Sequence, residues 1–117
     1  MPLEIKPSQA LRLWRQVHLD LVRDSDVDLS ARQTAILLTI YLELPPHTVR
    51  GLAAQLGVTK PVITRALDTM GKLGLVTRKR DAFDRRNVII QRTVVGALAV
   101  ERLADLVVER AKEMGGG

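Results

Sequence analysis

Apolar residues recur every three to four positions in four segments of the chain before residue 74. That spacing places them on one face of an α-helix. The pattern predicts helices over Gln9–Arg23, Ala31–Glu43, Val49–Gln55 and Lys60–Leu73. The residues just before these segments, Ser8, Ser30, Thr48 and Thr59, are of the types that cap helix N-termini. Gly74 is predicted to end the fourth helix.

Beyond residue 74 the pattern changes to short β-branched runs. Leu75–Lys79 and Val88–Arg92 predict the two strands of a hairpin, and the polar segment 80–87 predicts its tip. A last helical pattern runs over Val95–Met114. The order of four helices, a hairpin and a helix predicts a mainly α fold with a two-stranded β wing. This is a winged helix-turn-helix with flanking helices.

A chain of 117 residues suits a single domain. We expect an N-terminal arm and helix over 1–29, the winged helix-turn-helix over 30–93, and a C-terminal helix and tail over 94–117. Each flanking helix has a broad aliphatic face, and an isolated amphipathic helix is marginal in water, so each must pack on something. Packing on each other covers part of that surface, and a second copy would cover the rest. The flanking helices are therefore predicted to form a homodimer.

The segment 52–67 has the spacing of two short helices joined by a tight turn. Ala53 is small enough for a second helix to cross close above it, and Gly57, four residues later, suits a turn with positive φ. In such a motif the N-terminal residues of the second helix face outward and can reach base edges in the major groove of DNA. The predicted recognition residues are Thr59, Lys60, Pro61, Thr64 and Arg65.

These side chains suit DNA chemically. Arg65 can bind a guanine edge with two hydrogen bonds, and Thr64 can read either base type. Lys60 and the helix N-terminus suit a phosphate. The alternative is that Thr59 only caps the helix and that Arg65 is a solvated surface residue. The sequence leaves open which of the five residues touches a base.

The predicted hairpin is the second candidate DNA contact. An arginine at a hairpin tip can enter the minor groove, where A·T-rich DNA concentrates negative potential. Asp84 lies two residues before Arg86, so its carboxylate can hold the guanidinium or the loop backbone. An ordinary charged hairpin with a weak ion pair is the alternative. The predicted wing residues are Arg78, Lys79, Arg80, Asp84, Arg85 and Arg86.

Charge is distributed unevenly along the chain. The net charge is +5, and the segment 60–92 alone holds nine Lys and Arg against three acids. A local basic surface of this kind is typical of a protein that binds a polyanion. A basic surface that is only solvated is the alternative, and the helix-turn-helix spacing favours the polyanion.

Composition excludes several other kinds of function. The absence of cysteine excludes disulfides, thiolate metal sites and thiol redox sensing within this chain. The two histidines have no acids at ligand spacing, and no nucleophile motif or phosphate loop occurs, so we expect no metal, no cofactor and no enzyme activity. No apolar run reaches the length of a membrane helix, and residues 1–7 lack the features of a secretory signal. We therefore expect a cytoplasmic protein that does not bind a membrane.

Three aromatic or imidazole side chains fall outside these motifs. Trp14 and His18 lie four residues apart on the first predicted helix and could line a ligand pocket, but core or dimer contacts are the simpler prediction. His47 follows two prolines and is predicted to be a solvated loop residue.

Taken together, the motifs resemble those of the MarR (multiple antibiotic resistance regulator) family. The likeness rests on a wing signature and on the segment that precedes it: Asp84-x-Arg86, Thr93 and Gly96, and Gly74-Leu75-Val76-x-Arg78. It covers about residues 30–96. It implies that Asp84 orients the wing, that Arg86 enters the minor groove, and that the five predicted recognition residues form the base-reading face.

The chain also departs from the pattern of that family. Only about twenty residues follow Gly96, whereas members usually continue through two C-terminal helices. The usual effector pocket lies between the dimer helices and the DNA-binding lobe, so here we expect it to be small or absent. A small-molecule effector is compatible with the sequence, but nothing in the sequence indicates one.

The expected function is sequence-specific binding of double-stranded DNA by a transcriptional regulator, acting as a homodimeric repressor on a pseudo-palindromic operator. Two other functions stay open: a winged-helix module that binds proteins, and a DNA-binding protein without sequence preference. The exposed cations predicted on the recognition helix and on the wing favour DNA, because a protein-interaction module would not need them.

Overall fold

A computed structural model of the protein describes residues 4–24 and 28–115. These residues form five helices and three short strands, so the predicted mainly α winged helix is confirmed. The elements are α1 (Pro7–Asp24), α2 (Ala31–Leu42), β1 (His47–Thr48), α3 (Val49–Leu56), α4 (Lys60–Lys72), β2 (Val76–Arg80), β3 (Val88–Arg92) and α5 (Val94–Gly115). The first residues of the predicted arm, 1–3, and the end of the predicted tail, 116–117, lie outside the described residues.

Local sequence signals explain most helix boundaries. Ser30 begins α2 with a complete capping box, in which its hydroxyl accepts from the Gln33 amide and its own amide donates to the Gln33 side chain. Thr48 caps α3 by accepting from the Gly51 amide at 2.9 Å. Thr59 occupies the N-cap position of α4 but makes no capping hydrogen bond with its side chain. The first helix begins at Pro7, so the predicted cap at Ser8 was wrong by position.

Residues 29–100 form one compact unit around an aliphatic core. Helices α2, α3 and α4 supply most of the core, and the strands supply Leu75, Val76 and Ile90. The sheet has the order β1-β3-β2 with both pairs antiparallel. The third strand, β1, was not predicted, because two residues are too few to show an alternating pattern.

A second compact unit combines α1 with the part of α5 that starts at Glu101. Val17 of α1 is buried, and Asp20, on the same face, is buried as well. The Asp20 carboxylate accepts two hydrogen bonds from the Arg110 guanidinium, each 2.6 Å long. Hydrogen bonding from that guanidinium holds the pKa of Asp20 below its usual range. The pair therefore joins α1 and α5 through a charged contact, in a unit that also buries the apolar Val17.

Other apolar side chains of α1 are exposed. Trp14 is 64% exposed, Leu11 is 71% exposed and Val22 is 79% exposed. These three residues recur at helical spacing on a face different from the one that carries Val17 and Asp20. Of the two contacts predicted for Trp14, core or dimer, the core contact is therefore wrong, and the dimer contact stays a prediction.

The backbone at Gly96 lies very close to the Tyr41 hydroxyl and the Leu75 carbonyl, and this junction joins the wing to the helices of the 29–100 unit. The Tyr41 hydroxyl of α2 donates to the Leu75 carbonyl at 2.6 Å and accepts from the Thr93 amide at 3.0 Å. The Thr93 hydroxyl donates to the Gly74 carbonyl at 2.6 Å and accepts from the Gly96 amide at 2.9 Å. A Cβ atom on Gly96 would overlap the Tyr41 hydroxyl and the Leu75 carbonyl. Only glycine fits at this position.

The substitution Gly96→Ala is expected to destabilise the fold by about 3 kcal/mol, since overpacking forces backbone to move. The measurement is the free energy of unfolding in urea. Gly71→Ala is the matched control, because a Cβ there meets nothing closer than the Val76 carbonyl at 4.0 Å. Since Gly71 lies within α4, alanine there should stabilise by about 0.5–1 kcal/mol. Equal effects of the two substitutions would contradict the close approach at Gly96.

Candidate nucleic-acid interface

The helix-turn-helix is formed by α3, the turn at Gly57 and α4. Gly57 has a φ of 68°, the left-handed conformation that the sequence predicted for it. The Val58 amide donates to the Ala53 carbonyl at 3.0 Å across the turn. Ala53 is buried, as predicted, and Ile63 is completely inaccessible to solvent. These contacts set the rotation of α4 about its axis, and so decide which of its residues face outward.

All five predicted recognition residues are exposed on α4 or at its start: Thr59, Lys60, Pro61, Thr64 and Arg65. The buried face of the helix consists of Ile63, Ala66, Leu67 and Met70. Because Thr59 makes no capping bond, its hydroxyl is available to another partner. The Nε atom of Arg65 reaches the Pro61 carbonyl only at the long distance of 3.5 Å. The structure thus brings the five residues together on one solvent-facing surface.

The wing consists of β2, β3 and a closed loop between them. The pairing of the strands runs from Val76 opposite Arg92 to Arg80 opposite Val88. Within the loop, the Asn87 amide donates to the Asp84 carbonyl at 2.9 Å. The Arg80 guanidinium also donates to the Arg85 carbonyl at 2.8 Å. These bonds give the loop one defined shape.

Asp84 and Arg86 form the ion pair that the sequence suggested. The Asp84 carboxylate accepts from the backbone amide of Arg86 and from its Nε atom, both at 3.1 Å, and from Nη2 at 3.3 Å. The Arg86 side chain is nevertheless 84% exposed. The carboxylate therefore holds the base of the guanidinium while its outer edge faces solvent.

The Asp84 carboxyl has a pKa below its usual range. Hydrogen bonding from the Arg86 side chain is the largest cause, and the Arg86 backbone amide is the next. The positive charge of Arg50 also lowers this pKa, and partial burial opposes the three effects. The carboxylate is therefore charged throughout the physiological pH range.

Arg50 is a candidate site residue that sequence reasoning missed. It lies in the first turn of α3 and is exposed. Its charge reaches Asp84, so the first helix of the motif contributes a cation to the side of the wing. It falls outside the basic segment 60–92, and that is why charge counting overlooked it. The signal that was present is a basic residue two positions after the helix cap Thr48.

Two cations of the wing strands contact helices of the fold, whereas Arg80 and Arg86 contact groups within the wing. The Arg92 guanidinium donates to the Ile40 carbonyl at 2.8 Å and to the Glu43 carbonyl at 2.9 Å, which satisfies the C-terminal end of α2. Arg78, one of the predicted wing residues, pairs with Asp68 of α4 at 2.8 Å. The remaining predicted wing cations, Lys79, Arg80, Arg85 and Arg86, are exposed.

His47 differs from its prediction. It is buried, it lies in β1 opposite Ile90, and its Nε2 atom is 3.2 Å from the Glu43 carbonyl. The prediction of a solvated loop residue was therefore wrong, because the strand pairing that buries His47 had no sequence signal. Trp14 and His18 contact each other edge to face, with ring centroids 4.3 Å apart.

Within residues 4–24 and 28–115, no three His, Cys, Asp or Glu side chains are grouped so that they could hold a metal ion. No helix of that described part is both long enough and apolar enough to cross a membrane.

Comparison with known proteins points to the same family as the motifs. A sequence model described as the MarR family matches residues 29–88. The organic hydroperoxide resistance transcriptional regulator of Bacillus subtilis is 39% identical over 71 residues, which are 61% of this chain and 48% of that protein. The chain thus spans about half the length of this relative.

Solved structures share the fold. A variant of MepR from S. aureus superposes with a TM-score of 0.74 at 22% identity, over 97% of this chain and 84% of that chain. The transcriptional repressor CouR, bound to a 23-mer DNA duplex, gives 0.72 at 26% identity, over 92% and 72% of the two chains. BldR from Sulfolobus solfataricus gives 0.65 at 27% identity, over 95% and 85%.

The contacts of Asp84 can be tested without any ligand. We expect the Asp84 carboxyl to titrate below about 3.9, the ordinary value, in a carbon-detected NMR titration. Arg86→Ala removes its largest stabilising contact and should raise the midpoint towards the ordinary value. Arg50→Ala removes a charge that makes no hydrogen bond to Asp84, so it should raise the Asp84 midpoint less. Equal midpoints in the wild-type and Arg86→Ala proteins would show that the ion pair does not form in solution.

Proposed function

Because the chain belongs to the MarR family, we propose that it is a transcriptional regulator that binds double-stranded DNA sequence-specifically, as a homodimeric repressor on a pseudo-palindromic operator. The observation that carries the proposal is the placement of two basic surfaces on one compact unit. These are the exposed N-terminal face of α4 and the wing with its anchored Arg86. A helix and a hairpin of this kind can occupy adjacent grooves of one duplex.

The residues of α4 have distinct roles in this proposal. Arg65 offers the paired donors that match a guanine edge, and Thr64 can read either base type. Lys60 and Thr59 lie at the helix start, where a phosphate is also favoured by the helix dipole. Phosphate contacts set the position of the helix, and the base contacts then confer sequence preference.

The wing supplies the second contact. Arg86 extends from the Asp84 carboxylate and would enter the minor groove, while Lys79, Arg80 and Arg85 neutralise nearby phosphates. Because Asp84 holds the inner edge of the guanidinium, Arg86 loses less conformational freedom when it binds than a free arginine would.

The repressor assignment rests on CouR, and the broader assignment as a transcriptional regulator rests on both similar proteins. CouR is a transcriptional repressor that has been seen on DNA, and the B. subtilis relative is a transcriptional regulator. We place the protein in the cytoplasm, where bacterial and archaeal DNA is accessible.

A substitution on the wing tests the DNA proposal. Arg86→Ala should weaken binding to a duplex enriched from a random-sequence pool by about 1–3 kcal/mol. It should also reduce the slope of log affinity against log salt concentration by about one unit, because one phosphate-like contact is lost. Fluorescence anisotropy over a salt series measures both quantities.

The matched control is Arg102→Ala, which removes the same charge from the exposed surface of α5 outside the 29–100 unit. It should leave affinity and slope nearly unchanged. Unchanged binding in a folded Arg86→Ala protein would contradict the role of the wing. Failure of the pool to yield an enriched sequence, with binding retained, would favour a DNA-binding protein without sequence preference. A lack of any DNA binding would favour a protein-interaction module.

The dimer proposal rests on the flanking helices α1 and α5, which lie in the predicted dimerisation segments 1–29 and 94–117. Trp14, Leu11 and Val22 of α1 are largely exposed, and Val107 and Val108 of α5 are 37% and 52% exposed. Large apolar side chains at helical spacing on a water-facing surface are typical of an interface with a second copy. A two-fold dimer also places two recognition helices on half-sites about one helical turn apart.

Trp14→Glu is expected to convert the dimer into a monomer at micromolar concentration, because it places a charge in the apolar interface. Light scattering measures the mass, and circular dichroism checks that the helices remain. Arg12→Glu introduces the same side chain on a different face of α1 and should leave the dimer intact. A wild-type protein that is monomeric both free and on DNA would overturn the dimer proposal without affecting the proposed DNA contacts.

A further inference from the structure

Phe83 has an unusual position for its chemistry. It is the only phenylalanine of the chain, and it is 100% exposed at the tip of the wing. An aromatic ring of this size normally contributes apolar area to a core or an interface. The aliphatic core of residues 29–100 is completed without it. The contacts of Phe83 in the fold therefore do not explain why a phenylalanine is present.

The loop holds Phe83 in a defined place. Its amide donates to the Asp81 carboxylate at 2.9 Å, and the Asp81 amide in turn donates to the Asn87 carbonyl at 3.1 Å. On its other side begins the Asp84–Arg86 pair. The backbone at Phe83 is thus fixed on both sides, so its ring is presented outward from an ordered turn.

The surroundings of the ring indicate what it meets. Arg80, Arg85 and Arg86 on the same loop and strand ends are exposed, so Phe83 is an apolar group among cations. A partner surface that binds both the aromatic ring and the arginines must combine negative charge with apolar atoms. The minor groove of DNA does so, because phosphates line its edges while deoxyribose carbons and base edges form its walls and floor.

We propose that Phe83 is a DNA contact that packs into the minor groove beside Arg86, against deoxyribose and base-edge atoms. The inference rests on the proposed function of the wing and adds an apolar component to it. Arg86 supplies attraction that depends on salt, and Phe83 supplies attraction that does not. The contact also favours DNA sequences whose base-pair steps unstack easily. An apolar side chain inserted in the minor groove partly unstacks the bases that it meets.

The two kinds of contact predict different responses to salt. Loss of a cationic contact lowers affinity and flattens the salt dependence, since fewer counterions are released on binding. Loss of an apolar contact lowers affinity by the same factor at every salt concentration. The salt slope therefore separates a direct role of Phe83 from a role exerted through Arg86.

The test uses the full chain and a duplex enriched by the wild-type protein from a random-sequence pool. Phe83→Ser should weaken binding by about 10-fold or more, the equivalent of burying one aromatic side chain, with an unchanged salt slope. Phe83→Met keeps an apolar side chain and should restore most of the affinity. Ala82→Ser is the matched control, because it makes the adjacent exposed position polar without removing the ring. Thermal unfolding of all three variants should match the wild type, because Phe83 is fully exposed.

The outcomes separate the inference from the proposed function. Equal affinity of the Phe83→Ser and wild-type proteins would overturn the apolar contact with DNA and would favour a protein or lipid partner for the ring. The proposed function would stand in that case, because the wild-type protein would still bind DNA. A flattened salt slope in Phe83→Ser would also overturn the apolar contact, since Phe83 would then act only by placing Arg86. If the wild-type protein bound no duplex, both would fail.

Discussion

The geometry of the 29–100 unit depends on the close approach of Gly96 to the Tyr41 hydroxyl and the Leu75 carbonyl. Five parts of the chain meet at this point: α2, the end of α4, the start of β2, the end of β3 and the start of α5. Each donates or accepts a hydrogen bond through Tyr41 or Thr93. The wing strands begin and end at this junction. Hydrogen bonds, as well as the apolar core, therefore orient the hairpin with respect to the helix-turn-helix.

Two groups of arginines can be distinguished in the structure, and sequence alone does not separate them. Arg92 and Arg110 satisfy helix carbonyls and a buried carboxylate, and their charges serve the fold. Arg65, Arg85 and Arg86 lie on exposed surfaces of α4 and the wing, where their charges can meet a polyanion. The net charge of the basic segment therefore overstates the charge available for binding, and the folded arrangement decides which residues remain available.

Most of the correct predictions came from signals between residues that are close together in the sequence. The helix cap at Ser30 and the left-handed Gly57 follow from local chemistry, and both were predicted. The wing signature likewise placed Asp84 beside Arg86. Long-range contacts were missed: β1 pairs with a strand more than forty residues away, and this pairing buries His47. The exposure of Trp14 was also not predictable, because an amphipathic pattern does not say whether the partner surface belongs to the same chain or to another.

The bidentate contact between Asp20 and Arg110 limits how far α1 and α5 can slide along each other. An apolar contact between two helices tolerates sliding, because one aliphatic side chain replaces another at similar cost. A shift of one helical turn, about 5.4 Å, would instead leave the Asp20 carboxylate buried without its guanidinium. The pair thus permits a single longitudinal register between α1 and the second half of α5.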